Sequence, residues 1–133
     1  MLFPQRAFIT FDLVDAAGIL FFAHVFTLAH HVFESSVVTQ MGFSWQEWFN
    51  NGQWLTPMKH CEAVYQKPLL GGETYDVAVT STRIGETSFT LQYRFCRNEE
   101  TYCTVTLTHV FCNHDTGKKM PVPSHIRQKL ESL

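Results

Sequence analysis

The chain has 133 residues, a formal net charge of −2 and 45% hydrophobic residues, which is the size and composition of a single folded domain spanning residues 1–133. Charged residues make up 17%, and the mild net charge provides no cationic surface for a nucleic acid backbone. The longest apolar stretch, Ala16–Ala23, is far shorter than the roughly 18 residues of a membrane helix. These values exclude a disordered chain and a nucleic acid partner, and we expect no membrane partner.

The four cysteines stand apart, without the C-x-x-C spacing that is typical of a metal or redox motif. They are Cys61, Cys96, Cys103 and Cys112. The first residues, Met1–Arg6, lack a secretory pattern. We therefore expect reduced thiols in a cytoplasmic protein.

An amphipathic helix is predicted over Phe22–Met41, because apolar residues recur there at intervals of three and four. They are Phe22, Val25, Phe26, Ala29, Val32, Phe33, Val37 and Met41. Gly42 is expected to end this helix. A short second helix is predicted over Ser44–Phe49, with Ser44 as N-cap and Glu47 at the capping-box spacing.

Beyond Pro57 the apolar period changes from 3.6 to 2, which indicates strands. The five predicted strands are Phe8–Phe11, His60–Gln66, Tyr75–Arg83, Ser88–Phe95 and Thr104–Phe111. Short turn signals around the last three predict an antiparallel meander. Ser124 is expected to cap a C-terminal helix that runs to Leu130. The fold class is therefore α+β, with the one substantial helix covering the apolar face of the sheet.

Three blocks of the sequence resemble the hotdog-fold thioesterases of the 4-hydroxybenzoyl-CoA thioesterase family. The blocks are Phe11–His24, with Asp15 and Gly18 before a helix start, then Pro57, Met58, Tyr65, Pro68 and Gly72-Glu73, and finally Asp115–Lys119 followed by Pro121–Pro123. The resemblance covers nearly the whole chain. It implies a hotdog fold, in which a long central helix is wrapped by a five-stranded antiparallel sheet, and the hydrolysis of an acyl-CoA thioester.

The resemblance also implies an assembly and a substrate. Homodimers or homotetramers with active sites at the subunit interfaces are expected, and coenzyme A enters as part of the substrate rather than as a cofactor. The string Phe22–Val25 is similar to the Phe-Ala-Asn-Val of thioesterases that act on 1,4-dihydroxy-2-naphthoyl-CoA in quinone synthesis. Together with the aromatic residues nearby, it favours a bulky or aromatic acyl group.

Asp15 is the candidate catalytic residue, because the matching aspartate of the family serves as nucleophile or general base. A carboxylate that is ionised at neutral pH can attack the thioester carbonyl or orient a water molecule, and the sequence leaves both routes open. The alternative is that Asp15 only supports a loop turn beside Gly18. By its place in the same motif, Gly18 is a candidate substrate contact.

The start of the predicted helix offers an oxyanion site. Phe21, Phe22 and Ala23 provide no side chain to cap the first amides, and a helix dipole favours negative charge at this end. The resemblance assigns the role to the backbone N–H of Phe22. His24 stands where better-known members have Asn in a Tyr-Pro-Asn string, and it is a weaker candidate for proton transfer.

Other charged and metal-binding patterns are less specific. Lys118, Lys119 and Arg127 are candidates for contact with the phosphates of CoA, although charges near a C-terminus usually form a solvated face. His24 and His31 are seven residues apart, which does not match a helical metal-ligand spacing, so no metal is predicted. The alternative to an enzyme is a hotdog module without catalysis that binds acyl-CoA or a lipid as a sensor or carrier.

Overall fold

A computed structural model describes residues 5–133 of the chain. In this range the elements are, in chain order, β1 (Gln5–Phe8), a 3₁₀ helix (Phe11–Leu13), α1 (His24–Thr39), α2 (Trp45–Phe49), β2 (Trp54–Leu55), β3 (Met58–Tyr65), β4 (Thr74–Ile84), β5 (Ser88–Arg97), β6 (Glu100–Val110), β7 (Cys112–Asn113) and α3 (Ser124–Glu131).

Five of the strands form one antiparallel sheet in the order β1-β4-β5-β6-β3. Strands β4, β5 and β6 are consecutive in sequence and adjacent in the sheet, so the predicted meander is confirmed. Between β5 and β6 the chain reverses at Asn98 and Glu99, which both have positive φ, as a tight two-residue hairpin turn requires. The strand β3 lies at one edge of the sheet.

The helix α1 covers the inner face of this sheet. Its buried side chains include Val25, Ala29 and Val37, and the Phe33 ring stacks on His109 of β6 with ring centroids 4.6 Å apart. The helix has 16 residues and a length of about 24 Å, which is shorter than the 22–41 span predicted for a long central helix. Beyond the C-terminal end of α1, Met41 is buried in the core, which extends the apolar spacing past the helix. Before its N-terminal end, Phe22 fits the spacing but is 63% exposed.

The ends of the helices follow local rules with one exception. Gly42 has a φ of +80° and follows α1, as predicted. The capping box of α2 is confirmed, since the Ser44 hydroxyl accepts from the Glu47 N–H at 3.1 Å and the Glu47 carboxylate accepts from the Ser44 N–H. The prediction for α3 was wrong by one residue: Pro123 occupies the N-cap position, and Ser124 is the first helical residue.

The first predicted strand was also wrong in its bounds. The observed strand covers Gln5–Phe8, and Phe11, at the other end of the predicted range, begins the 3₁₀ helix with 92% of its surface exposed. The Leu13 N–H donates to the Thr10 carbonyl, which turns the chain away from the sheet. The run of apolar residues therefore spans an edge strand and the turn that follows it.

A second, two-stranded ribbon pairs β2 with β7, with Trp54 opposite Asn113. The sequence did not predict this ribbon. The indole of Trp54 is buried against Trp48 of α2, so the ribbon closes one end of the core. Within residues 5–133, no helix has both the length and the apolar character needed to cross a membrane.

Candidate active site

Asp15 lies in a closed loop between β1 and α1. The Asp15 N–H donates to the Ile19 carbonyl at 2.9 Å, and the Gly18 N–H donates to the Asp15 carbonyl at 3.0 Å. Gly18 has a φ of +78°, a conformation that glycine adopts without the steric cost of a Cβ atom. The Asp15-x-x-Gly18 spacing is therefore a tight turn that depends on glycine at its fourth position.

One carboxylate oxygen of Asp15 supports this turn. Its Oδ1 accepts from the Ala17 N–H at 2.8 Å and from the Ile19 N–H at 3.4 Å. The other oxygen, Oδ2, accepts no hydrogen bond from residues 5–133, and the residue is exposed. The carboxylate thus supports the loop turn, as the alternative interpretation of Asp15 predicted. It also keeps one oxygen available for a substrate or a water molecule.

A second segment of the chain holds the loop in place. The Leu20 N–H donates to the Leu69 carbonyl at 2.7 Å, and the Gly71 N–H donates to the Gly18 carbonyl at 2.9 Å. A Cβ atom at Gly71 would lie 2.9 Å from Cγ1 of Val14, closer than such atoms approach in proteins. Only glycine fits there without a shift, so the two segments pack backbone against backbone.

Two clefts meet at Asp15. The large cleft has a volume of about 840 Å³ and is lined by Phe8, Phe11, Val14, Asp15, Gly18 and Gly71, among others. The small cleft has a volume of about 400 Å³ and is lined by Asp15, Phe21, Phe22, Tyr65, Lys67 and Leu69, among others. Both are within the size range of ligand pockets, and their walls are mostly apolar. Asp15 and Phe22 therefore face a common space.

The backbone amides before α1 have no acceptor within the described part of the chain. The N–H groups of Phe22 and Ala23 donate to none of residues 5–133, and Ala23 provides no side-chain cap. The next amide, that of His24, donates to the Phe21 carbonyl at 2.9 Å. Two donors at a helix N-terminus thus remain available for an anion.

Tyr65 is a residue of the small cleft to which the sequence assigned no role. It is the last residue of β3, and its hydroxyl donates to the Phe22 carbonyl. Partial burial of the phenol raises the pKa of Tyr65 to about 12, although 40% of the residue is exposed, and the neighbouring Cys103 adds to the increase. The two partners are 43 residues apart in sequence, so no local pattern could have indicated this contact.

The other residues predicted for the site do not line the clefts beside Asp15. The His24 ring packs edge-on against Phe21 in the first turn of α1 and does not line either cleft. Lys118 and Lys119 are exposed after β7, and the Arg127 guanidinium donates to the carbonyls of residues 84 and 85. The cation that does line the small cleft is Lys67, which is paired with Glu100. Nowhere in residues 5–133 do three or more His, Cys, Asp or Glu side chains group as a metal site would require.

A family model described as the Thioesterase-like superfamily matches residues 9–130 of this chain. A 1,4-dihydroxy-2-naphthoyl-CoA hydrolase from Prochlorococcus marinus (strain NATL1A) is 32% identical over 125 residues, covering 89% of this chain and 83% of the relative. A protein with the same description from Synechococcus elongatus is 26% identical over 124 residues, covering 92% and 90%.

The fold is shared with solved structures. A 1,4-dihydroxy-2-naphthoyl-CoA thioesterase from Synechocystis superimposes with a TM-score of 0.86 and 21% identity, covering 98% of this chain and 96% of the other. At that identity the likeness establishes the fold, and it places this α+β chain with its five-stranded antiparallel sheet among the hotdog folds.

Proposed function

The chain belongs to the Thioesterase-like superfamily, and on this premise we propose that it hydrolyses the thioester of an aromatic acyl-CoA to the free acid and CoA. The relatives described as 1,4-dihydroxy-2-naphthoyl-CoA hydrolases support an aromatic acyl group. The mostly apolar clefts on either side of Asp15 are compatible with it. In this proposal the hydrolysis uses no cofactor, and CoA is part of the substrate.

One observation carries the proposal: the same cleft is lined by a carboxylate oxygen and a backbone amide that have no hydrogen-bond partner among residues 5–133. Attack on a thioester carbonyl needs an oxygen nucleophile and a donor for the negative charge that develops on the carbonyl oxygen. In our proposal the Asp15 carboxylate attacks the thioester carbonyl or activates the attacking water, and the Phe22 N–H donates to the carbonyl oxygen as it becomes negative.

Two routes use this arrangement. As a nucleophile, the carboxylate oxygen bonds to the acyl carbon, the carbon–sulfur bond breaks, and the CoA thiolate leaves; water then cleaves the anhydride. As a general base, Asp15 takes a proton from the attacking water, and that proton goes to the departing thiolate. Both routes develop the same oxyanion, so the proposed role of the Phe22 amide is common to them.

The test is release of free thiol from a panel of acyl-CoAs, including benzoyl-CoA and 1,4-dihydroxy-2-naphthoyl-CoA. We expect turnover with the aromatic substrates and a loss of at least about 10³-fold in Asp15→Asn, since the amide neither attacks nor accepts a proton. Asp12→Asn is the matched control, because Asp12 is an exposed carboxylate on the neighbouring turn whose hydrogen bond is to Thr10. Saturable binding of every CoA ester without turnover would instead favour the sensor or carrier.

The proposal includes a homodimer or homotetramer with active sites at the subunit boundaries. The edge strand β3 supports it: seven of its eight side chains are exposed in the isolated chain, including Met58, Val64 and Tyr65. An exposed edge strand that carries apolar side chains can pair with another chain. Light scattering at micromolar concentration tests this part, and a monomer would rule out a shared site.

We propose that Lys118, Lys119 or Arg127 contacts the CoA phosphates only in an oligomer, where these residues come from a second subunit. Within one chain none of these residues lines a cleft beside Asp15. A second subunit would have to bring them to the substrate. Gly18 stays a proposed substrate contact within the chain, because it lines the large cleft.

A further inference from the structure

The two clefts that meet at Asp15 differ in the charge of their walls. Among residues 5–133, Lys67 is the cation that lines either cleft, and it lines the small one. Within the same range, the wall of the large cleft has no charged side chain apart from Asp15. An aromatic acyl-CoA is just as one-sided, because its phosphates belong to the CoA half and the acyl ring is uncharged. The clefts and the substrate therefore share one distribution of charge.

Lys67 is fixed against the neighbouring strand β6 at both ends of the residue. Its backbone N–H and that of Gln66 each donate to the Tyr102 carbonyl at 2.9 Å. Its ammonium group pairs with the Glu100 carboxylate and lies 5.6 Å from the centroid of the Tyr102 ring, a distance typical of a cation–π contact. Glu100 and Tyr102 line neither cleft. Lys67 therefore belongs to the cleft wall, while the partners of its charge lie outside the cleft.

The ammonium group of Lys67 is accessible to a second anion. The side chains of Lys67 and Glu100 are 47% and 54% exposed, and an ion pair this exposed is screened by solvent and contributes little to stability. The hydrogen bond to Glu100 raises the pKa of Lys67, so the side chain keeps its charge at neutral pH. A phosphate monoester carries a charge of about −1.5 to −2 near pH 7, which is more than one carboxylate carries. A phosphate can therefore compete with Glu100 for this lysine.

We propose that Lys67 binds the phosphates of CoA at the edge of the small cleft, and that Glu100 holds its ammonium group when no substrate is bound. The inference rests on the proposed function, in which an acyl-CoA occupies these clefts, and it adds the residue that recognises the CoA half. The pantetheine arm separates the phosphates from the thioester. Lys67 therefore contributes to substrate binding and not to the chemical step, so its removal should raise KM and leave kcat unchanged.

Binding of free CoA tests the inference without any reaction. The dissociation constant of CoA is measured by isothermal titration calorimetry for the wild-type protein and for Lys67→Gln. We expect the variant to bind CoA about 3- to 5-fold more weakly, the range for one solvent-screened charge pair. Lys129→Gln is the matched control, because Lys129 is an exposed residue of α3 that lines neither cleft. No saturable CoA binding to the wild type, unchanged affinity in Lys67→Gln, or an equal loss in Lys129→Gln would overturn the inference.

A substitution of Glu100 has the opposite expected sign. Glu100→Gln releases the ammonium group and removes a carboxylate that repels phosphate, so this variant should bind CoA about 2-fold more tightly than the wild type. Glu131→Gln on α3 removes the same charge at an exposed position away from both clefts and should leave the affinity unchanged. An ion pair that only held β6 against the end of β3 would lose the same contact in Lys67→Gln and Glu100→Gln. Unchanged or weaker CoA binding in Glu100→Gln would therefore contradict the proposal.

Substrates with and without phosphates let the two proposals fail separately. In the active enzyme, Lys67→Gln should lower kcat/KM for benzoyl-CoA about 3- to 5-fold and leave kcat/KM unchanged for benzoyl-pantetheine, which lacks the phosphates. An equal decrease with both substrates would remove the phosphate contact and leave the hydrolysis in place. If no aromatic acyl-CoA releases thiol but CoA affinity depends on Lys67 and Glu100 as expected, the proposed hydrolysis is wrong and the phosphate contact stands.

Discussion

A single methyl group at Gly71 is expected to slow catalysis although Gly71 carries no reactive group. The added Cβ of Gly71→Ala would lie 2.9 Å from Cγ1 of Val14 and 3.3 Å from the Gly18 carbonyl oxygen. Carbon atoms prefer separations of about 3.5–4.0 Å, so the 14–18 loop must retreat by at least about 0.6 Å. Asp15 lies within this loop and moves with it. The backbone at Gly71 lies outside the left-handed region, so the contact is the only source of strain.

The size of the effect follows from that displacement. A misplacement of about 1 Å in an active site can cost about 10²-fold in rate, so a shift of about 0.6 Å should lower kcat by about 10-fold. Overpacking of this kind also costs about 1–3 kcal/mol of unfolding free energy. The measurements are kcat and KM for benzoyl-CoA together with thermal unfolding.

Two further variants decide whether the loop displacement is the cause. Val14→Ala removes the clashing methyl group, so the Val14→Ala/Gly71→Ala double variant should be faster than Gly71→Ala alone. Gly85→Ala is the control, because its Cβ would meet the Ser88 hydroxyl at 3.1 Å in the turn between β4 and β5, away from both clefts. A Gly71→Ala enzyme with kcat within twofold of wild type would refute the reasoning.

Three more outcomes are expected. Burial lowers the pKa of His109 to about 4, below its usual 6.5, so as the pH falls the unfolded chain binds this proton before the folded chain does. The free energy of unfolding is therefore at its full value above pH 6.5 and should fall by about 3 kcal/mol as the pH drops to about 4. Denaturant titrations should show this slope, and its persistence in His109→Gln would contradict the assignment. Phe22→Pro should abolish thiol release because proline has no N–H, whereas Phe22→Leu should keep most of the activity. An active proline variant would exclude the residue 22 amide as the oxyanion donor. Lys118→Ala with Lys119→Ala should raise KM, as added salt does, and leave kcat unchanged; a lower kcat at constant KM would contradict a binding role.

The main elements could be predicted from the sequence because their signals are local. The alternation in β5 and β6 and the period of α1 each arise from side chains that divide between core and solvent. The ends of α1 were harder to predict, because the apolar spacing continues beyond the last backbone hydrogen bonds of the helix. Phe22 and Met41 fit the helical spacing yet lie outside α1. Met41 is buried in the core after the helix has ended, whereas Phe22 is 63% exposed.

Short and irregular pairings could not be predicted. The ribbon of β2 with β7 has two residues per strand, too few for an alternation to be recognised, and it joins segments almost 60 residues apart. The same limit applies to the packing of Gly71 against Val14. Both contacts exist only after the sheet and helix have placed distant segments side by side.

The candidate site divides in the same way between local and distant contacts. Asp15 could be identified from a short motif, whereas the bond from Tyr65 to Phe22 depends on the end of β3 meeting the start of α1. The turn around Asp15 is visible in a motif because residues close in sequence form it. The contact of Tyr65 with Phe22 joins residues 43 positions apart, so no local pattern indicates it.

The two roles considered for Asp15 are compatible, because they use different oxygens. Oδ1 closes the turn by accepting from Ala17, and that bond fixes the direction in which Oδ2 leaves the loop. Asp15→Asn can keep the turn, since an amide oxygen still accepts from the Ala17 N–H while the amide nitrogen replaces Oδ2. Asp15→Ala removes both oxygens together. A large loss of kcat in Asp15→Asn with an unchanged unfolding temperature would therefore assign the loss to Oδ2 and not to the turn.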